Sequence, residues 1–317
     1  LKTFTAARSF DTAYYPGIGA NEGNYYNRLR NDWFHDAAIA LLGDDPEGFL
    51  NEYKFNLHPA SDDQPYFFHY FRWKTLPEVL RLHNQGGATL AEAGYLVLVA
   101  TLVQAIMASL ILILLPIWLY QRFINPARYT TSRTRLIGYF LLLGLAFLFI
   151  EIAFIQKLLL FLHHPLYAIA VVLSSFLVFS GLGSAWFGQS KAANRGRLIA
   201  MAISGIVIIG MTYLFTLDPL LQQLKTAPDG MRILVSVIVI APLAFCMGIP
   251  FPSGLAQLAD FAPGLIPWAW AINGCASVIS AILATLLAIH LGFTLVIAIA
   301  LVMYALTLWM FPVPCEE

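Results

Sequence analysis

The hydrophobic pattern changes character near residue 94. Beyond it, seven apolar runs follow one another at 94–120, 136–162, 166–187, 198–217, 232–247, 268–291 and 293–311. At a rise of ~1.5 Å per residue, about 20 apolar residues cross a hydrocarbon core of ~30 Å, so each run reads as a membrane-spanning helix. The fifth is short and carries Pro242, which predicts a kink. The pattern before residue 94 is polar and broken. Leu29, Trp33, Ala37 and Leu41 fall at helical spacing and predict a helix over 26–42, after a short strand over 9–15. Asp44-Asp45-Pro46 ends that helix and starts another, and Ser61, Asp62 and Asp63 build a turn between Pro59 and Pro65.

The second run, 136–162, organises the rest because it carries Glu151, Gln156 and Lys157 inside an apolar stretch. A charge near the middle of a span costs about 2.5–3.5 kcal/mol on insertion scales, so it faces protein or a cavity. Glu151 is read either as a carboxyl that fixes helix packing or as a substrate or proton site. Lys157 lies within reach of the helix end and can snorkel. Six residues separate the two, roughly 120° around the axis, so they cannot pair within the helix. Glu151 therefore needs a partner on another helix, in water, or a proton.

Composition sharpens the division. Of 317 residues, 59% are hydrophobic and 11% charged, well below the ~25% charged of soluble domains. Residues 1–93 hold twelve acids and eight bases, whereas the remainder holds six and ten. We therefore divide the chain into a polar segment over 1–75, an interfacial linker over 76–93 containing Gly86-Gly87, and a bundle over 94–317. Net charge is zero, which argues against nucleic acid as a partner. Cys246, Cys275 and Cys315 have neither metal spacing nor the look of a disulfide framework. Arg122, Arg128, Arg133 and Arg135 follow the first span, and Lys191, Arg195 and Arg197 follow the third. The positive-inside rule makes that side cytoplasmic and puts residues 1–93 on the other.

Several local patterns could carry chemistry. Gly17-Ile18-Gly19-Ala20-Asn21-Glu22-Gly23 resembles a dinucleotide fingerprint, but Glu22 stands where a glycine is needed, so it reads as a glycine-rich turn. Tyr66-Phe67-Phe68-His69-Tyr70-Phe71-Arg72-Trp73-Lys74 suits the headgroup level of a membrane, or else the core of its own segment. His163-His164-Pro165 makes a tight hairpin between the second and third spans, with His164 open to a proton-relay role and a poor metal site. Ser180-Gly181-Leu182-Gly183-Ser184 reads as a helix-packing stripe. Pro250 and Pro252 break the fifth span, leaving either exposed carbonyls for a polar ligand or an interfacial continuation through Leu255, Leu258 and Phe261. Ala269, Asn273, Ser277, Ser280 and Ala284 share one face of the sixth span, which makes Asn273 a candidate partner for Glu151.

Taken together, Asp62-Asp63-Gln64-Pro65-Tyr66-Phe67-Phe68, Phe149-Ile150-Glu151-Ile152-Ala153-Phe154-Ile155-Gln156-Lys157, His164-Pro165-Leu166-Tyr167-Ala168, Met247-Gly248-Ile249-Pro250-Phe251-Pro252 and Ile266-Pro267-Trp268-Ala269-Trp270-Ala271-Ile272-Asn273-Gly274 resemble the C-terminal membrane half of membrane-fused spermidine synthase-like proteins. These are also described as fused major-facilitator/spermidine synthases or S-adenosylmethionine-dependent methyltransferase-like proteins. His163, Gln64 and Ser253 depart from that pattern, which has Gly, Arg and Leu there. The resemblance implies an all-α membrane bundle preceded by the mixed α/β tail of a soluble Rossmann-like domain. It also implies a longer bacterial inner-membrane protein, with further membrane helices and a synthase-like domain upstream. S-adenosylmethionine or its decarboxylated form would bind in that upstream domain, and no catalytic residue carries over to this chain. A cytosolic enzyme conflicts with the sidedness read from the arginine loops.

Three functions are consistent with these readings. The bundle anchors an aminopropyl- or methyltransferase-like enzyme and handles polyamine substrate or product; it moves a small cationic or other polar solute through a midplane site around Glu151; or it is a plain anchor. Glu151, Gln156, Lys157, Asn273, Pro250, Pro252 and His164 are the candidate path or packing residues. The bilayer, the upstream domains and a small polyamine-class solute are the expected partners.

Overall fold

The computed structural model describes residues 2–19, 23–26, 28–83, 90–123, 133–190 and 195–312. Contacts divide the chain into two units: Leu1–Pro59 with Phe67–Tyr95, and Ala60–Tyr66 with Leu96–Glu317. The turn carrying Asp62 and Asp63 thus groups with the bundle.

The first unit contains α1 (Lys2–Ala6), α2 (Trp33–Leu42), α3 (Pro46–Glu52) and α4 (Leu76–His83). The expected strand over 9–15 is turn and open chain, and the described residues hold no strand, only a Ser61–Gln64 bridge. The expected helix over 26–42 begins at Trp33, for a local reason. Asp11 Oδ1 accepts the backbone N–H groups of Tyr25 and Tyr26 at 2.7 and 2.8 Å, and the Asn24 side chain bonds both N–H and C=O of Leu29. Such bonds compete with the helix for the same backbone groups. Asp45 caps α3 through Gly48 N at 2.8 Å with Pro46 in the first turn, as the sequence predicts. Gly17 turns the chain at φ +86°, while Ala20–Glu22 of the same stretch and Gly86-Gly87 of the linker lie outside the described residues. The aromatic run divides its work. Phe71 is buried and stacks on Tyr95 with ring centroids 5.1 Å apart, whereas Phe67 and Phe68 are exposed.

The second unit, which takes in α5 (Leu90–Ser109) from Leu96 onward, is otherwise built of a π turn (Leu110–Leu114), α6 (Leu115–Phe123), α7 (Arg133–Leu162), α8 (Pro165–Gly188), α9 (Arg195–Gln223), α10 (Asp229–Met247), α11 (Pro250–Phe261), α12 (Ile266–Leu291) and α13 (Phe293–Met310). Seven segments among the described residues are long and apolar enough to cross a membrane. The chain is, by length and composition, a multi-pass membrane protein. Residues 124–132 and 191–194, with Arg128 and Lys191 of the basic loops, lie outside the described residues, as does Cys315.

Helix α7 is the axis, touching α8, α10, α11, α12 and α13. Its most apolar stretch is 56% buried inside the protein, against 11% for the first span. Tyr139, Phe140, Leu143, Ala146, Phe149, Ile150, Ala153, Phe154, Leu158 and Phe161 are all buried, a row repeating every three to four residues that covers about half of the helix circumference. Helix α13 runs antiparallel to α7, since Tyr139 meets Phe311 and Lys157 meets Thr294. Because α12 leads into α13 through Gly292 alone, α12 runs parallel to α7.

Helices α8 and α10 pack backbone to backbone. A Cβ on Gly248 would overlap the Ser180 carbonyl, and one on Gly183 would overlap the Phe245 carbonyl. The packing stripe is thus Ser180 and Gly183, while Gly181 faces open space. Past Gly248 the chain restarts as α11, whose N-terminal Pro250 is buried; the Tyr139 hydroxyl donates to the Pro250 carbonyl at 2.7 Å and Ser253 Oγ to that of Ile249 at 2.6 Å. Of the two readings for Pro250 and Pro252, this geometry is the continuation: α11 is a separate helix packed on α7, α8, α9 and α12.

Two outcomes follow. Gly248→Ala lowers unfolding stability in detergent by about 1–3 kcal/mol, the usual cost of overpacking, whereas Gly181→Ala leaves it unchanged. His163, between α7 and α8, holds φ +59°, a left-handed conformation that costs most side chains about 1–2 kcal/mol. His163→Gly, the residue of the resembling pattern, therefore raises stability by roughly 0.5–1 kcal/mol after the entropy of glycine is set against it; thermal unfolding of the three variants checks both outcomes.

Candidate functional site at the end of α7

The described sites lie at two levels of α7. Near its C-terminal end, Lys157 is 8% exposed yet fully engaged. Its ammonium donates to Asp218 Oδ1 and Oδ2, both at 2.9 Å, to Asp63 Oδ1 at 3.3 Å and to Thr294 Oγ1 at 3.3 Å. Lys157, which the sequence allows to snorkel, has its head group drawn into two carboxylates, because three N–H donors out of water need acceptors. One lysine thereby joins α7, α9, α13 and the Ala60–Tyr66 turn.

Asp63 has a second task. Gly292, at φ +83°, precedes α13 and has no side chain with which to cap it. Asp63 supplies the cap from elsewhere in the sequence: its carbonyl accepts from Phe293 N at 3.1 Å, and Oδ1 accepts from Thr294 N at 2.9 Å and Thr294 Oγ1 at 2.6 Å. A carboxylate at a helix N-terminus satisfies orphan N–H groups and meets the positive end of the dipole. A Cβ at Gly292 would overlap the Asp63 carboxylate, so the glycine is required there for room as well as for φ. Tyr66 packs its ring on Phe293, centroids 6.1 Å apart; its hydroxyl is buried without a hydrogen bond among the described residues, and burial pushes the phenol up to about 12. Next to this knot, Arg232 of α10 donates to the Phe161 carbonyl at 2.9 Å, covering the C-terminal end of α7, and pairs with Asp229.

About 9 Å further along the axis, at six residues of ~1.5 Å, lies Glu151. It is 8% exposed, and makes no hydrogen bond or ion pair with any described residue. The other polar groups buried nearby mostly find partners: Ser280 Oγ donates to Leu145 O at 2.8 Å, Ser236 Oγ to Arg232 O at 2.9 Å and Thr307 Oγ1 to Tyr304 O at 2.6 Å. Glu151 and Lys157 are the two charged side chains buried among the described residues, and only the lysine is paired.

Asn273 is not the partner of Glu151. It meets α7 at Gly144, where an added Cβ would lie 3.1 Å from Asn273 Oδ1, seven residues and about 10 Å before Glu151. The parallel register of α12 puts Ser280 and Ala284, rather than Asn273, further toward that level. Gln156 is half-buried and without a hydrogen bond among the described residues. His164 is exposed ahead of α8 with its ring against Tyr167, and Pro252 is half-buried in α11. None of these converges with Glu151. Sequence reasoning missed Asp63, Asp218 and Thr294. One signal was available: Asp218 is the lone acid in α9, and an intramembrane lysine with no partner on its own helix calls for one elsewhere.

Among the described residues, no group of three His, Cys, Asp or Glu side chains is placed to hold a metal ion. The Gly17 turn lacks a preceding strand, and its fingerprint is broken by Glu22, so these residues do not fit an S-adenosylmethionine site. No protein-family model matches this chain, and no curated protein or solved structure matches it.

The knot predicts non-additive energetics. Asp63→Ala and Lys157→Met each lower unfolding stability by about 1–3 kcal/mol, because each strands a polar group in a dry setting. The double variant loses clearly less than the sum of the two, and a double-mutant cycle in detergent reads the difference. Additive losses would dissolve the knot as a unit.

Proposed function

We propose that this chain is the membrane-embedded C-terminal half of a membrane-fused spermidine synthase-like protein. On this reading it anchors a synthase-like domain at the bilayer and handles a small cationic solute of the polyamine class at Glu151. The family context, including a Rossmann-like character for residues 1–75, an upstream domain using S-adenosylmethionine or its decarboxylated form, and a bacterial inner membrane, rests on the five motifs. The solute site rests on one observation: Glu151 is buried at mid-helix without a partner among the described residues, while Lys157 on the same helix has two carboxylates.

Chemistry favours a cation there. A buried carboxylate lacking a counter-ion is costly in a low-dielectric setting, and an ammonium group arriving from solution relieves that cost. Polyamines carry several ammonium groups along a flexible apolar chain, and so match a buried acid on a predominantly apolar helix. Lys157 lies about two turns nearer the end of the same helix, on a different face, with Asp218 half exposed beside it. Asp218 thus offers a half-exposed carboxylate to a cation arriving from solution, near the end of the helix that carries Glu151.

The test is flux. In vesicles reconstituted with the chain, labelled spermidine should enter saturably, and Glu151→Gln, which keeps size and removes charge, should lower the rate at least about tenfold. Asp218→Asn should raise the half-saturating concentration more than it lowers the limiting rate. Equal flux in wild type, Glu151→Gln and empty vesicles would leave the bundle as an anchor.

A further inference from the structure

Helix α5 has the least-buried apolar stretch of the seven spans, and its outward face is ordered. Val97, Ala100, Gln104, Met107 and Ile111 are all exposed, up to the π turn that shifts the register beyond them. The spacing of the five is three, four, three, four. That is the seam of a heptad, the pattern by which two helices interlock as knobs in holes. The opposite face is the one used within the bundle: Ser109 is buried, its carbonyl accepts from Cys275 Sγ at 3.7 Å, and the π turn touches α12.

Apolar side chains on such a face need no partner beyond lipid. Gln104 does. It sits within about 4 Å of the midpoint of the Gly94–Leu119 span. Its amide is exposed and makes no hydrogen bond with any described residue, unlike neighbouring Thr101, whose hydroxyl returns to the Val97 carbonyl at 2.9 Å. An amide turned toward hydrocarbon has no water to bond, and such groups draw membrane helices together. A carboxamide is also self-complementary, since it offers both N–H and C=O, so two glutamines meeting on a two-fold axis satisfy each other.

We propose that this face of α5 is a homodimer interface, in which a second copy of the chain lays its own α5 along the seam and the two Gln104 amides bond across the axis. A polar residue at a single seam position fixes register and partner number at some cost in strength, which suits a pairwise contact. The seam from Val97 to Ile111 is about 21 Å long and one helix diameter of ~10–12 Å wide, on the order of 230 Å² per copy. That is less than half of the ~800 Å² per partner of a standard stable interface. The dimer is therefore reversible, and Gln104 is its most sensitive position.

Cross-linking tests it on the whole chain, in a background where Cys246, Cys275 and Cys315 are replaced by Ala. Gln104→Cys and Met107→Cys should each oxidise to a disulfide-linked dimer in bilayers. Ile208→Cys, exposed at mid-span on α9, serves as a depth-matched control and should not. Independently, Gln104→Leu should weaken dimerisation about three- to twentyfold by energy transfer between labelled copies at graded lipid dilution, matching measured interhelical hydrogen bonds. Cross-linking of Gln104→Cys no faster than Ile208→Cys, with maleimide reactivity equal to it, means that lipid covers the face and overturns the proposal. So does cross-linking of Gln104→Cys to a different protein in native membranes, or a Gln104→Leu chain that dimerises as the wild type does.

Discussion

Lys157 can be buried near the end of α7 only because two carboxylates and a hydroxyl reach it from other parts of the chain. Breaking that arrangement leaves a charge away from water, and its partners are the elements that must come together for the bundle to close. Asp218 brings α9, Thr294 brings α13, and Asp63 brings the turn that precedes the spans. The same Asp63 caps α13, whose own flanking residue, Gly292, cannot. One interaction thus sets where the last helix starts, how it lies on α7, and which part of the polar segment belongs with the membrane unit.

Much of the fold was legible in the hydrophobic pattern, since length and apolarity decide which segments a bilayer accepts. The seven spans, the short helix after Asp45 and the turn around Asp62 and Asp63 could all be read locally. The N-terminal segment could not. Its expected strand over 9–15 and early helix start were overridden by Asp11 and Asn24, which take backbone groups that periodicity assigns to a helix; a side chain bonding fourteen residues away leaves no trace in a local pattern.

The site was half legible for a similar reason. Helical geometry separated Glu151 from Lys157 correctly, because both lie on one rigid element. Assigning Asn273 to Glu151 required the register between α7 and α12, which no single-helix argument contains, and that register carries Asn273 to Gly144 instead. Lys157 is less telling in sequence because a long side chain near a helix end can reach water; the structure surrounds its head group with acceptors instead. His163 is the opposite case: its substitution for the glycine of the resembling pattern looked harmless in sequence, and only the backbone angle reveals why a glycine suits that hairpin.

What results is a helix with two buried charged residues in contrasting states, one saturated with partners and one with none among the described residues. The contrast assigns Lys157 to architecture and Glu151 to a solute. Equilibrium binding of spermidine to the purified chain in detergent, measured by calorimetry for the wild type and for Glu151→Gln, tests that assignment most directly. The account predicts saturable binding by the wild type and none by Glu151→Gln at the same concentrations, with both proteins equally folded. Equal binding by the two, or no binding by the wild type, would contradict it.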